Sequence, residues 1–180
     1  MTCLSPPHRA IRPADEAATR EKLDYRINHA GDLFMGAVAS MGDEEGHVKD
    51  SIIGYICGTL ANSSELTHES MSKHEPGGRT LCIHSVCVES ASRRQGLATR
   101  MLRAYPSFVR EHQPQIDEIR LICKAYLVQL YQQGGFDIVG PSPVVHGQDP
   151  WIEMKLDMAQ VDAKIQQLEE LDRKRRSWYF

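Results

Sequence analysis

Long apolar runs are missing from this chain. No segment approaches the roughly 20 consecutive apolar residues of a membrane-spanning helix, and the opening residues, MTCLSPPHRAIRPADEAA, lack the apolar centre of a secretory signal peptide. A large excess of charge of one sign is lacking too. The formal net charge is −3 and the basic residues are scattered, so the sequence shows no basic patch of the kind that binds nucleic acid. We therefore expect a cytoplasmic protein with no membrane or nucleic-acid partner.

Cysteine pairs at metal-binding or redox spacing are also absent. There are five cysteines, an odd number, and no C-x-x-C pair. Most of them fall in apolar, strand-like runs, which predicts reduced, buried thiols and no zinc site. Neither G-x-x-x-x-G-K-[ST] nor G-x-G-x-x-G occurs, which excludes two common glycine-rich phosphate loops. The cysteines are Cys3, Cys57, Cys82, Cys87 and Cys123.

What is present predicts one domain in which strands and helices alternate. A chain of 180 residues with 41% hydrophobic content is long enough for one full core. We expect a flexible lead at 1–13, a domain at 14–157 and a polar helical tail at 158–180. Apolar patterning predicts strands at 32–40, 50–60, 80–88, 117–123, 136–140 and 151–157, and helices at 15–31, 97–112 and 125–135.

Two local features refine this organisation. The acidic residues 43–45 fall in a predicted exposed turn between the first two strands, where a solvated turn is a simpler interpretation than attraction of a cationic substrate. Pro106 falls inside the second predicted helix, and we expect it to bend or weaken that helix.

The turn RRQGLA, Arg93 to Ala98, joins the strand TLCIHSVCV to an amphipathic helix. Such a turn leaves the first backbone N–H groups of the helix unpaired at the positive end of its dipole, where a pyrophosphate binds. Gly96 and Ala98 lack bulk that would keep phosphates away from the backbone. Arg93 and Arg94 would add charge-assisted contacts. The turn therefore predicts a phosphate-binding site.

This turn and its surroundings resemble the GCN5-related N-acetyltransferase (GNAT) superfamily. In that superfamily a [QR]-x-x-G-x-[GA] turn holds the pyrophosphate of acetyl-CoA, and a Y-x-x-x-G-F stretch follows two splayed parallel strands. The stretches SELTHESM, LCIHSVCV, SRRQGLATRML, YLVQLYQQGGF and GPSPVVHG narrow the resemblance to the serotonin (arylalkylamine) N-acetyltransferase family, fungal type. The matching motif residues are Arg93, Gly96 and Ala98 in the first pattern and Tyr131, Gly135 and Phe136 in the second.

The resemblance implies an α/β (α+β) GNAT fold with a mixed central sheet, splayed parallel strands and flanking helices. The family's first strand and helix have no counterpart ahead of residue 15, so we expect them to be missing. It also implies acetyl-CoA as cosubstrate, no metal, and direct attack of the amine on the thioester in a ternary complex. The residues implied to bind acetyl-CoA are Val86, Cys87 and Val88 for the pantetheine arm, and Arg93, Arg94, Gln95, Gly96, Leu97, Ala98 and Thr99 for the phosphates.

Two catalytic residues follow from the same resemblance. His84 matches the second of two histidines at the vertebrate catalytic site and would accept the proton of the amine; otherwise it is a hydrogen-bonded structural residue. Tyr131 matches the tyrosine that supplies a proton to the departing thiolate; otherwise it is an aromatic anchor. Cys82 takes the place of the first histidine, which departs from the pattern. An acetyl-cysteine intermediate is a further, less favoured route because nothing adjacent activates a thiolate.

Several interpretations of function remain open. The substrate is an arylalkylamine or a polyamine, with a protein or peptide amine as another possibility. Alternatively, the chain is an acyl-CoA-binding regulatory module that has lost turnover. Cys82 and the short segment ahead of the first predicted helix favour this interpretation, whereas His84 and Tyr131 oppose it. We expect a monomer. Ser177 follows the basic cluster RKRR and is either a kinase site that docks a phosphoserine reader or part of a solvated helix end.

Overall fold

A computed structural model of the chain describes residues 18–42, 47–144 and 150–177. The residues 1–13 and 43–45 discussed above lie outside these ranges, as does Cys3. The described helices are α1 (Arg20–Ala30), α2 (Leu97–His112), α3 (Val128–Gln133) and α4 (Val161–Ser177). The strands are β1 (Met35–Gly42), β2 (Val48–Ala61), β3 (Thr80–Val88), β4 (Glu118–Cys123), β5 (Asp137–Pro141) and β6 (Ile152–Asp157).

The six strands form one mixed sheet in the order β1-β2-β3-β4-β6-β5. Neighbouring strands run antiparallel except for β3 and β4, which are parallel. A parallel pair needs a crossover connection, and α2 supplies it. The expected mixed α/β fold with one central parallel pair is therefore confirmed.

The two faces of the sheet carry apolar clusters of different size. One face carries the large apolar core, in which Tyr105 and Val109 of α2 and Tyr131 of α3 pack on the strands. The other face holds a smaller apolar cluster of Ala61, Leu66, Cys82 and Val144, capped by the loop between β2 and β3. Side chains of successive strand residues point to opposite faces, so every second residue of each strand lies on the second face.

Two helices bear on details of the sequence expectation. Helix α1 begins at Arg20, because Thr19 accepts a hydrogen bond from the backbone N–H of Lys22 and so caps the helix there; positions 15–17 of the predicted helix lie outside the described residues. Helix α2 is continuous through Pro106 to His112, and the expected bend or weakening at Pro106 stays a prediction. Its neighbours hold it in place, since the buried Tyr105 hydroxyl donates to the carbonyl of Leu33 at 2.7 Å. Within the described ranges no helix is long and apolar enough to cross a membrane.

Candidate active site

A gap opens between the parallel strands β3 and β4. Their pairing runs only from Thr80 opposite Glu118 to Cys82 opposite Arg120. β3 then continues to Val88, still paired with β2 on its other side. The backbone of Val86, Cys87 and Val88 therefore borders the gap on the side away from β2. An edge of this kind can pair with an extended ligand.

The turn at residues 93–98 follows the end of β3 that borders this gap. Arg94 has a φ of +61° and Gly96 a φ of +74°, so the chain makes two left-handed steps before α2 begins at Leu97. Gly96 has no side chain to cap the helix, so the first N–H groups of α2, at Leu97, Ala98 and Thr99, receive no side-chain cap. A Cβ on Gly96 would meet no atom within 4 Å, so the space above it is open. The turn thus presents uncapped donors to an open space.

Side chains within the turn fix its shape. Arg93 donates from Nε to the carbonyl of Val88 at 2.9 Å, which ties the turn to the end of β3. Gln95 donates from Nε2 to the carbonyl of Ala91 at 3.2 Å. The sequence suggested Arg93 as a phosphate contact, and the structure adds a bond that orients the turn itself.

His84 lies in a β-bulge. Cys57 pairs with Ser85 and Gly58 with Ile83, which leaves His84 as the extra residue of β3. Its Nε2 lies 2.7 Å from Oγ1 of Thr59, a buried residue of β2. Sequence reasoning did not identify Thr59, because only the register of β2 against β3 brings the two side chains together.

Cys82 is unsuited to proton transfer or acyl transfer. It is fully buried on the second face, and burial raises the pKa of its thiol to about 12, partly offset by a hydrogen bond with Ser70. Burial likewise raises the pKa of Cys123 to about 11. The expected buried thiols are confirmed for Cys57, Cys82 and Cys123, whereas Cys87 is only half-buried.

A partly buried ionic cluster lies beside Cys82. Arg120 donates from Nε and Nη2 to both oxygens of Glu118, at 2.7 and 3.1 Å, and from Nη1 to Glu153 at 2.5 Å. Two carboxylates against one guanidinium leave the cluster with one net negative charge. The signal in the sequence was Glu118 and Arg120 two residues apart in a buried strand, but Glu153 is 33 residues further along.

Tyr131 is an interior residue of the short helix α3. It is 4% exposed and packs edge-to-face on Phe136, with ring centroids 6.0 Å apart. This anchoring is the structural role that the sequence offered as the alternative. Tyr126, five residues earlier, is 70% exposed. The two phenols therefore form a matched pair, one in the core beside the splayed strands and one at the surface.

Helix α1 reaches the second face through Arg26. Arg26 of α1 lies close enough to Cys57 to lower the pKa of that thiol through its charge and a hydrogen bond, although burial dominates and raises it. Phe34 stacks on Tyr55 with centroids 5.1 Å apart. Because Tyr55, Cys57 and Thr59 alternate along β2, their side chains share this face. The face thus combines aromatic rings, a guanidinium and an imidazole.

Among the described residues no group of three His, Cys, Asp or Glu side chains could hold a metal ion.

The fold and this gap define the class of protein. The model of the acetyltransferase (GNAT) domain family matches residues 46–158, more than half of the chain, so the chain belongs to that family. The matched region includes β2 to β6, the gap and the turn at residues 93–98.

Individual relatives add detail. Serotonin N-acetyltransferase of Mesocricetus auratus is 33% identical over 107 residues, which cover 59% of this chain and 51% of that protein. The enzyme of the same name from Macaca mulatta is 30% identical over 103 residues, 57% of this chain and 50% of that protein. The chain thus spans about half the length of the curated relatives it matches. The fungal subtype suggested by the sequence is not distinguished by these matches.

Solved structures of remote relatives share the fold. The loading GNATL domain of CurA from Lyngbya majuscula superposes with a TM-score of 0.63 at 13% identity, covering 82% of this chain and 87% of that one. The GphF GNAT-like decarboxylase in complex with isobutyryl-CoA superposes with a TM-score of 0.62 at 15% identity, covering 81% and 88%. At such identities the likeness extends to the fold alone.

Proposed function

We propose that this chain transfers the acetyl group of acetyl-CoA to the primary amine of a small arylalkylamine. The observation that carries the proposal is the gap beyond the Cys82–Arg120 pair. β4 leaves Val86–Val88 unpaired along this gap, where Arg93 bonds only the Val88 carbonyl, and the uncapped turn before α2 follows. In this proposal the pantetheine arm pairs with the backbone of Val86, Cys87 and Val88. Backbone of Arg94 through Thr99 binds the phosphates.

His84 is the proposed proton acceptor. An arylalkylamine is mostly protonated at neutral pH and must lose a proton before its nitrogen can attack the thioester carbonyl. Nε2 of His84 lies 2.7 Å from Oγ1 of Thr59, and this contact would fix the orientation of the imidazole that accepts the proton, directly or through water. Cys82 cannot share the task because its thiol already holds its proton. The bulge and Thr59 are therefore proposed to orient the acceptor.

Tyr131 is the proposed proton donor. Attack of the amine nitrogen on the carbonyl carbon gives a tetrahedral intermediate, and its collapse breaks the carbon–sulfur bond. The departing coenzyme A thiolate then receives a proton from the phenol. The cationic nitrogen of the intermediate loses its second proton as the amide forms, and that proton returns to the phenolate directly or through water. The position of Tyr131 in α3, which follows β4 at the gap, supports this role. Its packing on Phe136 would hold the ring in place.

The charges of the second face favour an arylalkylamine over a polyamine. The cluster of Arg120, Glu118 and Glu153 carries one net negative charge, which suits a substrate with a single cationic amine. The guanidinium of Arg26 would repel a second or third ammonium group. The stacked rings of Phe34 and Tyr55 offer apolar contact on the same face.

Product detection tests the proposal. Purified protein is incubated with acetyl-CoA and equal amounts of tryptamine, serotonin, phenethylamine and spermidine, and the products are identified by mass spectrometry. We expect acetylated arylalkylamines in excess of acetylspermidine, and their loss in His84→Ala. Thr59→Ser keeps the hydroxyl and is the control for Thr59→Val, which we expect to lower kcat about tenfold.

Two results would contradict the proposal. Acetylspermidine as the main product would replace the arylalkylamine with a polyamine. Binding of acetyl-CoA with no acetylated product would favour the regulatory module, for which the specific observation is the buried Cys82 in place of a histidine.

A further inference from the structure

A basic groove of about 630 Å³ lies between α2 and α4, outside the site described above. Four guanidinium groups face one carboxylate there, in a protein whose formal net charge is −3. The groove is lined by Arg100, Arg103, Ala104, Glu169, Arg173 and Arg176.

Two ion pairs show that α4 runs antiparallel to α2. Arg110, near the end of α2, pairs with Asp162 in the first turn of α4 at 2.9 Å. Arg103, half-way along α2, pairs with Asp172 near the end of α4 at 2.8 Å and also donates to the carbonyl of Gln133. The basic end of α4 therefore lies beside the first turns of α2.

This arrangement concentrates positive charge near the phosphate turn. Arg100 follows Gly96 by four residues, which corresponds to an axial rise of about 6 Å. Arg173 and Arg176 face it from α4, and no side chain of the described residues forms an ion pair with these three arginines. The N-terminus of α2 adds its own partial positive charge. Such a cluster is unfavourable unless an anion offsets it.

We propose that the basic groove binds the 3′-phosphate of coenzyme A. This inference rests on the proposed function, because it takes the pyrophosphate to lie on the turn at Gly96. Coenzyme A carries its third phosphate on the ribose, at the end of the molecule far from the thiol. A ligand that enters the gap thiol first and leaves its pyrophosphate on the turn directs that phosphate toward the surface beside Arg100. Helix α4 thereby contributes Arg173 and Arg176 to the cofactor site.

The test compares coenzyme A with 3′-dephospho-coenzyme A by isothermal titration calorimetry at low ionic strength. We expect the unaltered protein to bind coenzyme A about tenfold more tightly than the dephospho form. The double variant Arg173→Ala/Arg176→Ala and the single variant Arg100→Ala should reduce this ratio to about 1 to 3, with the dephospho form bound as before. Arg175→Ala, an exposed arginine of α4 outside the groove lining, should leave the ratio unchanged.

The outcomes separate this inference from the function it rests on. Equal affinity of the unaltered protein for both ligands would overturn the groove assignment and leave the phosphate turn intact. An unchanged ratio of the affinities for coenzyme A and its dephospho form in both groove variants would also overturn it, because the third phosphate would then have other partners. Failure to bind either ligand would contradict the proposed function and remove the basis for the groove.

Discussion

Gly96 gives the sharpest test of the phosphate turn. Its φ of +74° lies in the left-handed region, and a Cβ there would enter open space. Asn and Asp both tolerate this backbone and have nearly the same shape. The pair Gly96→Asn and Gly96→Asp therefore adds equal bulk and differs by one negative charge at the position assigned to the pyrophosphate.

The expected magnitudes follow from the backbone and from the added charge. Both variants should lose about 1 kcal/mol of stability through the left-handed backbone, which lowers Tm by about 2–4 °C. One unit charge about 5 Å from another costs about 0.8 kcal/mol in water and about 3.3 kcal/mol at an effective dielectric of 20. The dissociation constant of coenzyme A should therefore be roughly 4- to 200-fold higher in Gly96→Asp than in Gly96→Asn.

Calorimetric titration of both variants with coenzyme A measures this ratio. Thermal unfolding of each variant checks that the two share the same loss of stability, so that the difference in affinity reports charge alone. High salt should narrow the ratio through screening. Equal dissociation constants in the two variants would refute the assignment of this turn to phosphate.

Three further predictions concern single side chains. Tyr131→Phe should lower kcat at least tenfold with little change in coenzyme A affinity, whereas the exposed Tyr126→Phe should change neither; equal losses of turnover and affinity would leave Tyr131 as a packing residue. Burial lowers the pKa of His74, whose Nδ1 accepts the N–H of Leu60 at 3.1 Å, so stability present above pH 6.5 should be lost as pH falls and His74 gains a proton. Urea unfolding between pH 7.5 and 5.5 should show a shallower loss in His74→Asn, and parallel curves would exclude this linkage. With a pKa of about 12, roughly one Cys82 thiol in 10⁵ is ionised at pH 7, so peptide mass spectrometry after exposure to acetyl-CoA should find no acetyl group on Cys82, and an acetyl group there would contradict this reasoning.

The local elements of the site could be predicted from the sequence. The apolar run at residues 80–88 corresponds to β3, and the glycine in RRQGLA marks the step into α2. Both are short-range features, because the alternation of a strand and the left-handed backbone of a glycine are set by residues close together in the sequence. The order of strands and helices also follows from such local patterns.

The long-range features could not be predicted. The contact between Thr59 and His84 depends on a bulge that shifts the register of β3 by one residue, and no local pattern marks it. Glu153 reaches Arg120 only because β6 pairs with β4 in one register. The basic groove depends on the antiparallel packing of α4 beside α2, although each arginine is visible in the sequence.

The central claim is that the gap between β3 and β4 holds acetyl-CoA. A crystal structure of the protein with bound coenzyme A tests it most directly. The account predicts the pantetheine arm beside the backbone of Val86–Val88, with the pyrophosphate on the N–H groups of residues 94–99. Coenzyme A bound elsewhere, or the two strands closed against each other with the ligand outside, would contradict it.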